Sequence, residues 1–426
     1  MAPMKIHGAG MSIERRQFLR RTLQAAAATQ LGWAAACGGP QTGDGGGGDS
    51  SAGDGKQGFR STEWLGGVTL SPRQMRDMQA GPYILHARAG ALNRVPAEKA
   101  LLPHDPRGHV QTVELARAPD GTLYVNQNTL MCRSRDGGRN WEVSPRPENM
   151  VGTFQILSDG TFVAVKDAGE KDPSGILVWS SADQGRTWSQ LSEIGNPAKC
   201  ENRIPGTLAR LPDDTLVVPV ESRAHMIDPA YVHTSSDGGR TWSGPTGFNT
   251  ESGFLGGHCY ETMIAPMASG KLIAVIRYHG AVVPQWPLFD PARRAYYKTV
   301  FLADSEDGGK TWTRFRQLTN YHGQCHGYGV GLADGTFMVA YDHRYPRDLS
   351  TGRAMISRDE GETWEDEVYY LYYGDGTSGF SQSLALDDGM ILTVGGITHE
   401  LESRRSWAGA TGKSELWAIR WKPVPA

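Results

Sequence analysis

Arginine, histidine and carboxylate residues recur in this sequence at similar distances from a series of tight turns. Each turn is Asp-Gly or an equivalent pair between two apolar runs, as in VELARAPDGTLYV and YGVGLADGTFMVAY. Residues equally far from a hairpin turn lie side by side, so positions about eight to ten residues before and after each turn share one edge. That edge would carry Gln111, Asn126, Asn128, Lys166, Asp167, Arg203, Glu221, Arg223, Cys259, Tyr260, Glu261, Arg277, Tyr278, His279, His326, Asp342, His343, Arg344, Phe380 and Ser381. So much charge beside apolar hairpins predicts a binding mouth, although rim residues that only meet water would also be polar.

Histidine is concentrated near this edge. The fourth and fifth hairpin units contain His258, His279, His322, His326 and His343. An imidazole base, a tyrosine acid and an arginine that neutralises a carboxylate would suit a polysaccharide lyase acting on a uronate. His326 or His258 would be the base, and Tyr260 or Tyr278 the acid, with Arg277 as the neutralising cation. Solvated or structural histidines and a Zn or Mn site are the alternatives, and our prediction is that no metal or cofactor is bound.

An eight-residue pattern that occurs five times indicates how these positions come together. Its copies are SRDGGRNW from Ser134, SADQGRTW from Ser181, SSDGGRTW from Ser235, SEDGGKTW from Ser305 and SRDEGETW from Ser357. The pattern is typical of a hairpin turn in which the Asp carboxylate accepts backbone N–H bonds, Gly takes a positive φ and Trp packs on the sheet. It interleaves with six hairpins that turn at Asp120, Asp159, Asp213, Ser269, Asp334 and Asp388. These repeats predict an all-β fold, a six-bladed β-propeller whose last blade lacks the pattern and is closed by SELWAIRW.

The eight-residue pattern resembles the Asp-box of the sialidase family, which implies a sialidase-like propeller. The fragment Asn202-Arg203-Ile204-Pro205 is similar to the family's Arg-Ile-Pro motif, whose Arg binds the substrate carboxylate. Asp228 follows it at about the distance of the family's acid/base Asp. The resemblance therefore implies carboxylate recognition by Arg203 and proton transfer by Asp228.

Further matches lie in the later blades. Glu261 and Arg277, within ETMIAPMASGKLIAVIR, resemble the family's Glu that activates a Tyr nucleophile and the second Arg of its triad. Arg344 and Arg353 both precede the last Asp-box as the third Arg does. The resemblance thus implies three guanidinium groups around one carboxylate.

Two positions depart from the sialidase pattern. Phe380-Ser381 stands where the family has a Tyr-Ser pair, so the expected nucleophile is missing. Sialidases use a neutral Tyr because the carboxylate on the anomeric carbon of their substrate repels an Asp or Glu. In addition, Arg203 lies in the third hairpin unit, whereas the family motif belongs to the first blade, where Gln111 stands here.

Three functions follow as alternatives. The leading hypothesis is a glycoside hydrolase that removes a terminal acidic sugar, sialic acid or a related one. Its catalytic residues would come from Glu261, Asp228, His326 and Tyr260, and its substrate-binding residues would be Arg203, Arg277, Arg344, His258, His279 and Arg223. The lyase is the runner-up, and a non-catalytic propeller that binds a glycan or protein is the third.

Composition limits the possible partners. The chain has 426 residues, 54 of them Gly, and a formal net charge of -3, so nothing global favours a nucleic acid. Beyond the first forty residues no apolar run approaches the roughly 20 residues of a membrane-spanning helix. An acidic carbohydrate is the expected partner, bound by a monomer.

The N-terminal segment predicts export. Ser12-Ile13-Glu14-Arg15-Arg16-Gln17-Phe18-Leu19 resembles a twin-arginine signal and leads into an Ala-rich run that ends at Cys37, a possible lipidation site. Residues 1–37 would be the signal, residues 38–60 a Gly/Ser-rich disordered linker, and residues 61–426 the propeller. The protein would be periplasmic or anchored at the cell surface. Disulfides are permitted there, and whether Cys259 and Cys325 are bonded stays open.

Overall fold

The computed structural model describes residues 70–104, 114–127, 130–146, 152–169, 175–195, 203–222, 230–248, 258–279, 289–290, 295–296, 298–319, 323–344, 350–374, 377–399 and 413–425. The predicted export signal, the linker and Cys37 lie outside these residues, as do Asp228 and Arg223. Arg203 and His258 are described by their backbone alone. No helix in the described part is long and apolar enough to cross a membrane.

The described chain begins with a short helix and a hairpin. Helix α1 (Pro72–Ala80) starts at Ser71, whose hydroxyl accepts from the backbone N–H of Gln74, while the Gln74 side chain accepts from the backbone N–H of Ser71. Met75 and Met78 of the helix are buried in an apolar cluster. Strands β1 (Tyr83–Arg88) and β2 (Ala91–Leu101) follow as an antiparallel pair.

Four separate antiparallel sheets come next along the described chain. The first contains β3 (Glu114–Arg117), β4 (Leu123–Asn126), β5 (Leu130–Ser134) and β6 (Glu142–Pro145). The second contains β7 (Thr153–Ile156), β8 (Phe162–Asp167), β9 (Ile176–Ser181) and β10 (Ser189–Ile194). The third contains β11 (Arg203–Pro205), β12 (Ala209–Arg210), β13 (Leu216–Ser222), β14 (Tyr231–Ser235) and β15 (Ser243–Gly247). The fourth contains β16 (His258–Pro266), β17 (Leu272–His279), β20 (Lys298–Ser305) and β21 (Thr313–Gln317), and the two-stranded pair β18 (Phe289–Asp290) and β19 (Ala295–Tyr296) lies between β17 and β20 in sequence.

The remaining strands form one nine-stranded sheet. They are β22 (Gln324–Gly331), β23 (Phe337–His343), β24 (Ser350–Ser357), β25 (Glu367–Gly374), β26 (Thr377–Ala385), β27 (Ile391–His399) and β28 (Lys413–Trp421), joined by β1 and β2. β1 pairs with β25, and β2 pairs with β28. The SELWAIRW segment therefore does not close the last unit alone, because β2 extends the sheet beyond it, a pairing between distant residues that local patterns do not reveal.

The fold is an all-β propeller, as predicted. Four blades are separate sheets in the described residues, while the strands expected for the last two lie within the nine-stranded sheet. The count of six blades therefore stays a prediction. The core lies between neighbouring sheets, where Val275 of the fourth packs with Phe337 and Met355 of the nine-stranded sheet.

The five repeated octapeptides form the turns expected from their residues. In the first copy, one oxygen of Asp136 accepts from the backbone N–H groups of Arg139 and Asn140. Gly138 has a φ of +92°, and the Trp141 indole donates to its carbonyl at 3.0 Å. Asp183, Asp237, Asp307 and Asp359 accept backbone N–H groups in the other copies. These carboxylates stabilise turns and have no role in chemistry at the mouth.

Glu114 of β3 contacts side chains from the two sheets on either side of its own. Its Oε2 accepts from Thr153 Oγ1 of β7 at 3.0 Å and from Gln382 Nε2 of β26 at 2.9 Å. Gln382 also accepts from the backbone N–H of Leu115. The last sheet thus contacts the first, which closes the ring, and burial raises the pKa of Glu114 to about 7.

Candidate functional site

Three strands carry a β-bulge at similar distances from their turns, and the bulge of β26 lies one residue farther out than those of β16 and β22. The pairing register shifts between Tyr260 and Met263 in β16, between Cys325 and Tyr328 in β22, and between Ser378 and Ser381 in β26. Within these bulges lie Glu261, His326 and Phe380. A bulge changes the direction in which a side chain points and is common next to active sites. The matched offsets therefore bring three chemically different side chains to corresponding positions in three consecutive units.

Glu261 is more exposed than the two charged side chains closest to it, Arg277 and His326. Its side chain is 27% exposed, against 9% for Arg277 and 1% for His326. Arg277 Nη1 donates to Glu261 Oε2 at 2.6 Å, and His326 Nε2 lies 4.0 Å from the same oxygen. Glu261 is thus a carboxylate held by a buried cation and open to a ligand, as an acid/base or nucleophile must be.

His326 is buried and contacts three charged side chains. Arg277 Nη1 is hydrogen-bonded to its Nε2. Its Nδ1 lies 2.9 Å from Asp342 Oδ2 and 2.8 Å from Arg344 Nη2. Burial, and then the positive charges of Arg277 and Arg344, hold the pKa of His326 well below its usual range. The imidazole is therefore neutral at neutral pH.

Arg344 is buried and hydrogen-bonded to other side chains of the protein. It is 4% exposed, and its Nε donates to Asp342 Oδ2. The other candidate for the third arginine, Arg353, is on β24, where its Nε donates to Thr351 and its guanidinium lies 5.0 Å from the Tyr370 ring centroid. Arg344 contacts His326 and is ion-paired with Asp342.

Phe380 covers His326. The two ring centroids are 3.8 Å apart, and the planes are tilted by 48°. The position at which the sialidase resemblance expects a Tyr hydroxyl therefore presents a phenyl ring, which has no atom that can attack an anomeric carbon.

Tyr260, His279 and Lys298 form the side of the cluster on the fourth sheet. The rings of Tyr260 and His279 are 4.1 Å apart, and Arg277 lies 5.6 Å from the Tyr260 centroid. His279 pairs with His258 on one side and with Lys298 on the other. Burial, then the charge of Arg277, lowers the pKa of Lys298 to about 8. Sequence reasoning missed Lys298 because it lies on the third strand of its sheet, outside the counted offsets.

The structure describes the other predicted site residues only in part. The backbone of Arg203 pairs with Ser222 in β11 and β13, so Arg203 belongs to the third sheet, as expected. Asp228 and Arg223 lie outside the described residues. Their predicted roles, and those of Arg203 and His258, stay predictions.

Cys325, His326 and Asp342 place one possible ligand atom each within 4.8 Å of one another. Burial raises the pKa of the Cys325 thiol to about 12. Two guanidinium groups also contact His326 and would repel a cation. The donor set therefore does not suit a metal. Cys132, Cys259 and Cys325 are free thiols, so Cys259 and Cys325 are not bonded to each other.

Known proteins share this architecture. A family model for the BNR repeat-like domain matches residues 158–394. A sialidase of Clostridium perfringens is 25% identical over 272 residues, 53% of this chain and 67% of that protein. A xyloglucanase of Paenibacillus sp is 26% identical over 282 residues, and the match spans 52% of this chain but only 27% of that protein.

A solved structure extends the likeness over most of the chain. The GH93 α-L-arabinofuranosidase of Fusarium graminearum, in complex with arabinobiose, superposes with a TM-score of 0.55 and 17% identity. The match covers 76% of this chain and 97% of that one, which establishes a common fold. Since the family match spans more than half of the sequence, the chain belongs to the BNR repeat-like domain family, within the superfamily of sialidase-like propellers.

Proposed function

We propose that this protein is a six-bladed propeller that acts as a glycoside hydrolase on a terminal acidic sugar. The six blades follow if the nine-stranded sheet is two blades, β22 to β25 and β26, β27, β28 with β2, joined edge to edge by β1. The first hairpin would then hold the last blade in the ring. Residues 1–37 would direct export by the twin-arginine route, with Cys37 as a possible lipid anchor.

The exposure of Glu261 supports the hydrolase proposal. Its carboxylate is accessible, while Arg277, which fixes it at 2.6 Å, is buried. A fixed carboxylate beside bound sugar is the basic requirement of glycosidic bond cleavage. Asp228 is the proposed second carboxylate, since it follows the Arg203 motif at the distance found in sialidases.

Phe380 narrows the class of acidic sugar. Because this position has no Tyr, the catalytic residues would be carboxylates. A sugar that carries its own carboxylate on the anomeric carbon would repel them. A uronic acid carries its carboxylate elsewhere on the ring. Arg277, Arg344 and Lys298 make the cluster cationic, which favours an anionic sugar. The proposed substrate is therefore a glycan ending in a uronate rather than in sialic acid.

An assay with three aryl glycosides tests this proposal. The purified protein should release p-nitrophenol from a glucuronide faster than from a sialoside or an arabinofuranoside, and Glu261→Gln should lower kcat/KM about 10³-fold. Faster cleavage of the neutral arabinofuranoside would overturn the acidic-sugar assignment. Activity retained in Glu261→Gln would remove Glu261 from the reaction.

The lyase remains the second candidate because a neutral imidazole, His326, lies beside the cationic Arg277, the base and neutralising group of that reaction; His326 would act as the base only with Arg277 turned from its Nε2 to the substrate carboxylate. Incubation with polymeric uronate distinguishes the two reactions. A lyase forms an unsaturated product that absorbs in the near ultraviolet, and a hydrolase forms a new reducing end without that absorbance. Binding to the glycan without either product would support the non-catalytic propeller.

A further inference from the structure

Asp342, His326, Arg277 and Glu261 form a continuous chain of contacts between two neighbouring sheets. Asp342 Oδ2 lies 2.9 Å from His326 Nδ1. His326 Nε2 is hydrogen-bonded to Arg277 Nη1, and the same Nη1 donates to Glu261 Oε2 at 2.6 Å. Only Glu261, at the end of the chain, is substantially exposed. A change at Asp342 can therefore reach the exposed carboxylate through two intervening side chains.

The hydrogen bonds select one tautomer of His326. A neutral imidazole carries one N–H, and Arg277 can only donate to it. With the proton on Nδ1, His326 donates to Asp342 and accepts from Arg277, so both contacts are satisfied. With the proton on Nε2, the imidazole N–H would point at an N–H of Arg277. Asp342 would then lose its hydrogen bond from the imidazole. The contacts with Asp342 and Arg277 therefore favour the first tautomer, in which Arg344 Nη2 lies 2.8 Å from the protonated Nδ1 while Arg344 Nε donates to Asp342.

The backbone around His326 is constrained in the same place. His326 has a φ of +51°, in the left-handed region that a non-glycine residue rarely adopts. The next residue, Gly327, has no space for a side chain, since a Cβ would lie 2.5 Å from Val275. Such strain persists only where the surroundings hold it, and it is concentrated at functional sites. The geometry fixes the imidazole between Asp342 and Arg277.

We propose that Asp342 is a positioning residue for the reaction at Glu261: it keeps the Nδ1–H tautomer of His326, which in turn holds Arg277 Nη1 against Glu261. This rests on the proposed function of Glu261. His326 is then a positioning residue too, because its Nε2 lone pair is occupied by Arg277 and Phe380 covers its ring. The Cys325 thiol lies beside the chain, 3.6 Å from His326 Nδ1, and is hydrogen-bonded to Asp342.

Asp342→Asn tests the inference without changing side-chain shape. The Asn amide can donate to Nδ1, which moves the imidazole proton to Nε2 and sets it against Arg277. We expect kcat on the uronide to fall by about 10² fold with KM nearly unchanged, the size of effect typical of residues that orient a reacting group. Nitrogen NMR of the ¹⁵N-histidine protein should show His326 as Nδ1–H in the wild type and Nε2–H in Asp342→Asn, with the signal assigned from its loss in His326→Gln.

His326→Gln provides a rescue. A Gln side chain can accept from Arg277 through its oxygen and donate to Asp342 through its nitrogen, so it should retain more activity than His326→Leu, which can do neither. Equal losses in the two variants would contradict the positioning role. Because both replace the same buried ring, a general packing defect would not separate them.

The chain offers a matched control in Glu367. It is another buried carboxylate bonded to a buried histidine, His86, at 2.7 Å, where β25 pairs with β1. Glu367→Gln should lower thermal stability and leave kcat unchanged. An equal fall in kcat in Glu367→Gln would show that Asp342→Asn acts through stability alone, and this would overturn the inference.

The two readouts separate this inference from the proposed function. If the wild type hydrolyses none of the glycosides, the proposed function fails, and the NMR result alone decides whether Asp342 sets the tautomer. A wild-type His326 protonated on Nε2, or an unchanged kcat in Asp342→Asn of an active enzyme, overturns the positioning role.

Discussion

The ring of Phe380 packs on the imidazole of His326, with their centroids 3.8 Å apart. The two residues occupy corresponding bulges of neighbouring units, and Phe380 lies where the sialidase resemblance expects a Tyr nucleophile. Phe380 excludes water from one face of the imidazole, and this burial is the largest cause of the lowered pKa of His326. The phenyl ring that stands in place of the expected tyrosine therefore also helps to keep His326 neutral.

Phe380→Ala should raise the pKa of His326 toward its ordinary value. Removing the ring admits water, which stabilises the imidazolium, while Arg277 and Arg344 still oppose it. The measurement is the pH dependence of the His326 nitrogen shifts. Phe380→Leu, which keeps an apolar cover, should shift the pKa less. An unchanged titration in Phe380→Ala would mean that the charges, and not burial, keep His326 neutral.

Arg277 and Glu261 should behave as one unit. Arg277→Met removes the cation that fixes Glu261, so kcat/KM should fall by about 10² to 10³ fold. In the double variant with Glu261→Gln, we expect little further loss, since residues in direct contact are not additive. The measurement is a double-mutant cycle on the glucuronide. Multiplicative losses would show that Arg277 acts on the substrate independently of Glu261.

Glu114 should make the stability of the fold depend on pH. Burial raises its pKa from 4.5 to about 7, so the folded state favours the protonated acid. The cost of ionising it is absent below the unfolded pKa, grows as pH rises between the two pKa values, and is complete above the folded one, where it reaches about 3 kcal/mol. Glu114→Gln removes this cost.

Thermal unfolding at about pH 5 and about pH 8 checks this prediction. The wild type should lose more stability than Glu114→Gln between the two pH values. Parallel changes in the two proteins would show that Glu114 does not ionise within this range.

Gly352 of β24 leaves space for the ring of Tyr372, its cross-strand partner in β25. A Cβ at Gly352 would lie 2.2 Å from the Tyr372 ring, and Tyr372 is fully buried. Gly352→Ala should therefore lower the free energy of unfolding by about 3 kcal/mol. The control is Gly247→Ala, where nothing lies within 4 Å and the change should stay within about 0.5 kcal/mol in a denaturant titration. Equal stability of the two variants would contradict the packing described for Tyr372.

Local residue patterns were enough to determine the propeller repeat and most of the cluster. The Asp-box turns depend on contacts within a few residues, so Asp136 and Gly138 could be read from the chain alone. The equal offsets of Glu261, His326 and Phe380 from their turns likewise survive in the folded protein as corresponding bulges.

Only the tertiary structure decided which of these residues contact one another and which are ion-paired or neutral. Pairing of β2 with β28 joins segments more than three hundred residues apart, and no local pattern encodes it. Lys298 enters the site because β20 pairs with β17, and Arg344, which was predicted to bind substrate, donates to Asp342. The physical reason is that turns and strands follow from nearby residues, whereas burial, ion pairing and protonation depend on side chains that meet only when separate sheets pack together.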